Sequence, residues 1–79
     1  MVEGAILQSF GKHLARLRHA RQWTQQELSN RCGLHRSYIA GVEAGRRNVS
    51  FKNLLRLAQG LEISPDHLFD ALDWPEYNH

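Results

Sequence analysis

Residues 24 to 43 read Thr24-Gln25-Gln26-Glu27-Leu28-Ser29-Asn30-Arg31-Cys32-Gly33-Leu34-His35-Arg36-Ser37-Tyr38-Ile39-Ala40-Gly41-Val42-Glu43, and the residues able to do chemistry gather just past the glycine. Arg36, Ser37 and Tyr38 carry hydrogen-bonding side chains at the start of a segment whose Ile39 and Val42 face inward. An ordinary helical hairpin has no need of an arginine, a serine and a tyrosine in that place. Two short helices joined by a tight turn, with polar and basic residues opening the second, present those residues to base edges in a DNA major groove. The planar fork of an arginine matches guanine O6 and N7, and a good bidentate pair discriminates by about 1–3 kcal/mol. The plainer readings are an Arg36 that touches only phosphate and a Ser37 that fills helix surface.

Other chemistries are poorly served. His13, His19, His35, His67 and His79 form no pair at helical ligand spacing and lie on different segments. The single Cys32 excludes an internal disulfide and leaves no cysteine pair to begin a zinc site; it is expected to pack at a helix end. Neither a nucleophile motif nor a phosphate-cradling glycine loop is present. The chain is therefore expected not to be an enzyme and to need no metal or cofactor.

With 79 residues the chain has room for one small domain, and a core that small gains from association with a second copy. No apolar run approaches the roughly 20 residues of a membrane span, and the N-terminus lacks a signal-peptide pattern, so a cytoplasmic protein without membrane partners is expected. The net charge of +2 conceals an asymmetry. Residues 1–23 hold four basic and one acidic side chain, residues 24–56 six and two, and residues 57–79 none and five. Such a distribution suits a basic face that meets a polyanion and an acidic end that points away, or else charges that merely solvate helix faces.

Five short helices must position these residues, and no strand pattern or internal repeat appears, so the fold class is all-α. Phe10, Leu14 and Leu17 form one buried stripe in a helix from about Ile6 to Arg21. Thr24 caps the second helix, Glu27 completes a capping box and Trp23 staples onto Leu28; Gly33 supplies the turn. The third helix is read from Leu34 to Ala44, with His35 a weak cap. Gly41 within it costs up to about 1 kcal/mol relative to alanine, which either permits close approach to DNA or relieves packing against the second helix. Gly45 then closes it. Val49-Ser50 opens a fourth helix whose apolar face is read as Phe51, Leu54, Leu55, Ala58 and Leu61, and Ile63-Ser64-Pro65-Asp66 opens a fifth with Ser64 as cap. Residues 73–79, which contain Pro75, are read as an irregular tail.

Taken together, Phe10-Gly11-Lys12, Leu17-Arg18, Trp23-Thr24-Gln25-Gln26-Glu27-Leu28, Gly33-Leu34, Tyr38-Ile39, Val42-Glu43-Ala44-Gly45, Leu54-Leu55-Arg56-Leu57-Ala58 and the run from Leu61 to Phe69 resemble the Cro and phage-repressor-like helix-turn-helix family over about residues 7–72. Arg36 to Glu43 followed by Arg46-Arg47-Asn48-Val49-Ser50 is similar to the recognition helix and loop of restriction-modification controller proteins. Phage Cro-like repressors and antitoxins also include stand-alone domains of this length.

The resemblance implies a five-helix, repressor-like DNA-binding domain and a transcriptional regulator. Arg36 and Ser37 are then base readers, Tyr38 reads or braces, and His35 adds a contact. Gln25 holds phosphate and braces the reading helix, with Thr24 either donating to the same phosphate or only capping. Arg46, Arg47 and Asn48 grip the backbone, with Lys52 and Arg16 further out. Arg18 and Glu43 align with an ion pair joining the first helix to the third. A homodimer on a palindromic operator, with half-sites about 34 Å apart or a multiple of that, would form through the fifth helix, where Ile63, Pro65, Phe69 and Leu72 supply apolar surface. Activation, with RNA polymerase as partner, is implied by the resemblance alone. A protein-binding module on the same fold is the rival reading, and the cations around the presumed groove-facing surface argue against it.

Overall fold

The computed structural model of the chain describes residues 3–70; Leu72 and the tail at 73–79 lie outside them. Among the described residues there are four α-helices and no strand: α1 (Glu3–Ala20), α2 (Gln25–Cys32), α3 (Arg36–Glu43) and α4 (Phe51–Leu61), followed by a 3₁₀ helix at Pro65–Phe69. The expected fifth α-helix is thus a short 3₁₀ element. Its Asp70 N–H donates to the His67 carbonyl, an i to i+3 bond. Ser64 makes no side-chain cap there, and its hydroxyl donates to the Asp66 carboxylate.

The other boundaries shift by a few residues. α1 begins at Glu3 rather than Ile6, and α3 begins at Arg36, leaving Leu34 and His35 in the turn. The caps of α2 and α4 are those expected from local sequence. Thr24 accepts from the Glu27 N–H at 3.1 Å while the Glu27 carboxylate accepts from the Thr24 N–H at 2.7 Å, and Ser50 accepts from the Asn53 N–H at 3.1 Å. Gly33 and Gly45 take the left-handed conformation, with φ of 74° and 76°.

Phe10, Leu14, Leu28, Ile39, Val42, Leu57, Leu61 and Leu68 form one core, with Trp23, Val49, Leu54 and Ile63 packed against it. Two helix crossings are unusually close. A Cβ on Gly11 would lie 2.6 Å from the Glu43 carbonyl oxygen, and one on Gly60 would lie 2.8 Å from the Cys32 Cβ. Each glycine removes the bulk that would separate its helix from the next, so α1 seats on the end of α3 and α4 on the end of α2.

The apolar face of α4 differs from the expected one. Leu57, Ala58, Gly60 and Leu61 are buried, whereas Phe51 is 76% and Leu55 41% exposed. Burial is concentrated in the half of α4 that meets α2 through Gly60, and the first turn is left outside it. No helix among the described residues is long and apolar enough to cross a membrane.

Candidate DNA-reading surface

The turn between α2 and α3 is fixed from within. The Gly33 N–H donates to the Ser29 carbonyl at 2.9 Å, and the buried Ser29 hydroxyl donates to the Leu34 carbonyl on the far side of the turn. A buried hydroxyl without a partner is costly, so this bond ties the direction of α3 to α2. Ser29 carries no mark in the sequence beyond being a small polar residue one turn before a glycine, so spacing and residue type do not single it out. Cys32 packs behind the same turn, and burial pushes its thiol above the ordinary value.

Behind α3 lies a second restraint. Arg18 Nε and Nη2 donate to the two oxygens of Glu43 at 2.7 and 2.9 Å, and its Nη1 donates to the Trp23 carbonyl at 2.8 Å. The pair is buried, with side-chain exposures of 10% and 7%. Hydrogen bonding to Glu43 raises the Arg18 pKa above its usual value, against the opposing effect of burial. Gln25 adds a third donor, its Nε2 lying 2.9 Å from a Glu43 oxygen. The end of α1, the start of α2 and the end of α3 thus meet at one carboxylate. An amide carries two N–H donors, so the one Gln25 gives to Glu43 leaves the other for a ligand.

On the outer side His35, Arg36 and Ser37 are exposed, bordering a shallow groove whose other wall carries Gln26 and Asn30 of α2. Gln26 Nε2 donates to Asn30 Oδ1 at 3.0 Å, so that wall is already ordered. His35 occupies the N-cap of α3 with extended backbone and no side-chain cap. The first-turn N–H groups of α3 therefore have no capping side chain from His35.

Tyr38 is half-buried, its hydroxyl donating to the Asn48 carbonyl at 3.1 Å and its ring lying 5.2 Å from the Arg47 guanidinium. Those contacts tie Tyr38 to the loop that follows α3. The same loop is tied to α3 by the Arg46 N–H, which donates to the Gly41 carbonyl at 2.9 Å. The atoms nearest to a Cβ at Gly41 would be those of Arg47, with Cδ and Cγ at 2.7 and 2.8 Å.

Arg46, Arg47 and Asn48 are exposed on this loop, and Lys52, Arg16 and Thr24 are exposed elsewhere. Among the described residues only Arg18 with Glu43 and His67 with Asp70 form ion pairs, so Arg36, Arg46 and Arg47 have no carboxylate partner within them. Trp23 is flanked by the Arg31 guanidinium at 4.0 Å and that of Arg21 at 5.8 Å, contacts the sequence did not announce. Among the residues expected at a dimer contact, Phe69 is 41% exposed with its ring 6.5 Å from that of Phe10, while Ile63 and Pro65 are half-buried.

Comparison with known proteins agrees with this geometry. Residues 9–72 match the family of the helix-turn-helix domain. The chain is 36% identical over 62 residues to the control protein C.BamHI of Bacillus amyloliquefaciens, covering 77% of this chain and 76% of that one. It is 34% identical over 65 residues to the control protein C.MunI of a Mycoplasma species, covering 81% and 88%. The crystal structure of the restriction-modification controller protein C.AhdI from Aeromonas hydrophila superposes with a TM-score of 0.78 at 49% identity, covering 80% of this chain and 96% of that one. The chain belongs to the helix-turn-helix family that includes these restriction-modification controller proteins.

Proposed function

We propose that this protein is a sequence-specific DNA-binding transcriptional regulator that controls restriction-modification genes together with its own promoter. The observation that carries the reading is the arrangement of α3. Its exposed Arg36 and Ser37 stand at the start of a helix whose far end is locked by the buried Arg18–Glu43 pair and whose turn is locked by Ser29. Side chains that read bases must be held in register by a rigid scaffold, and a recognition helix places its N-terminal residues over the base edges.

In this reading Arg36 and Ser37 read bases, His35 stands beside them, and Tyr38 braces the loop. Gln25, Thr24, Arg46, Arg47, Asn48 and Lys52 hold phosphate. The protein acts in the cytoplasm as a homodimer on a palindromic operator, since a single α3 meets too few bases for strong selection. The apolar surface for the second copy includes Phe51 and Leu55 of α4 with Phe69, which are the exposed large hydrophobic residues among those described. Activation of the restriction gene, which the resemblance alone implies, would run through contact with RNA polymerase.

Salt dependence separates this reading from a protein-binding module. With three loop and α4 cations per protomer neutralising phosphates, log Kobs against log salt should fall with a slope of about −5 for a dimer. A slope near zero on the duplex upstream of its gene would favour the protein-binding reading.

A further inference from the structure

We propose that Gly41 is a positioning residue for DNA binding, retained in the middle of α3 because its bare Cα seats the stem of Arg47 against the reading helix. This rests on the DNA-binding reading above and adds a residue that does not itself reach DNA. Alanine is the better helix former at an ordinary helix position, so a glycine there calls for a compensating contact. The contact is visible: Cγ and Cδ of Arg47 occupy the space a Cβ would fill, at 2.8 and 2.7 Å. Gly41 is buried although it lies on a helix eight residues long, and a side chain from the loop covers it.

Three further contacts make the arrangement a clasp. The Arg46 N–H holds the Gly41 carbonyl at 2.9 Å, the Tyr38 hydroxyl holds the Asn48 carbonyl at 3.1 Å, and the Arg47 guanidinium lies 5.2 Å from the Tyr38 ring. Arg47, an exposed residue, is thereby held with its stem on Gly41 and its guanidinium beside the Tyr38 ring, instead of sweeping a free loop. Ordering a long side chain before binding removes an entropic cost from the encounter with DNA. A methyl group at position 41 would displace only a flexible exposed side chain, so the fold would tolerate it while the preformed surface would not.

The opposite signs of the two effects give the test. Gly41→Ala is expected to melt at or above the wild-type temperature while binding the upstream duplex about tenfold more weakly, the order of one charged contact. Its salt slope should be shallower by about 0.9 per protomer, the loss of one phosphate contact. In an Arg47→Ala background the same substitution should cause no further loss. Tyr38→Leu, which removes the ring and hydroxyl of the clasp, should weaken binding in the same sense, and NMR should find the ring-current shifts of the Arg47 methylenes lost in both single variants. Wild-type affinity and slope in Gly41→Ala would overturn the proposal, as would an equal loss in the Arg47→Ala background. A wild-type protein that binds no duplex would instead overturn the DNA-binding reading itself, and the proposal with it.

Discussion

Arg18 and Glu43, 25 residues apart, are joined by two hydrogen bonds of 2.7 and 2.9 Å in a nearly dry site, so the end of α1 and the end of α3 move as one body. Removing one member strands the other charge without water, a cost of about 3–5 kcal/mol. Arg18→Met should therefore lower stability by that amount in urea unfolding. Replacing both, Arg18→Met with Glu43→Leu, should cost clearly less than the single change, because no charge is left behind. A double variant as unstable as the sum of its parts would show that the two residues stabilise the fold independently.

The apolar residues of α4 lead to a second prediction. Phe51 and Leu55 are exposed, so Phe51→Ser with Leu55→Ser should leave the unfolding temperature of the monomer nearly unchanged. Each would cost the dimer about 2 kcal/mol if it is a central contact. Sedimentation equilibrium should show the double variant monomeric at concentrations where the parent is dimeric. An undisturbed dimer would remove this face from the contact.

The 3₁₀ helix holds two groups, Asp66 and His67, whose pKa values depart from the ordinary ones. His67 is raised above the usual imidazole value by its hydrogen bond to Asp70 at 3.2 Å and by the nearby charges of Asp66 and Asp70. The folded state therefore holds that proton more tightly than the unfolded state. Its contribution is whole below the unfolded pKa of about 6.5 and is lost as pH rises through the folded value. Asp66 is lowered, chiefly by the Ser64 hydroxyl, so its contribution is present above about 3.9 and lost as pH falls through its folded value. The element should be held best between roughly pH 4 and 6.5. In an NMR titration Asp70→Asn should move the His67 midpoint downward; an unmoved midpoint would show that Asp70 does not hold the proton on His67.

What could be read from the sequence was what local chemistry decides. Thr24 with Glu27, Ser50, Gly33 and Gly45 act within a turn of themselves, and each takes the conformation its type favours. The stripe Phe10, Leu14 and Leu17 likewise needs only its own helix. Ser64 makes no cap, and its hydroxyl is bonded instead to a carboxylate two residues on. Leu57, Phe51 and Leu55 could not be sorted because the periodicity of α4 leaves open which half of the helix is covered; the approach of Gly60 to Cys32 decides it. The bond from Ser29 to Leu34 crosses between elements, and Arg47 over Gly41 depends on the path of a loop. Spacing along a chain carries little information about such meetings.

Arg36, at the start of α3, is the residue on which the reading of sequence by this helix is best tested. Footprinting the duplex upstream of the gene with parent and Arg36→Ala proteins, over single-base-pair variants of each half-site, measures it directly. The expected result is a protected two-fold-related site on which Arg36→Ala loses about 1–3 kcal/mol of discrimination at one base pair per half-site, while preference elsewhere is retained. An Arg36→Ala protein with the same preference at every position would contradict base reading by Arg36.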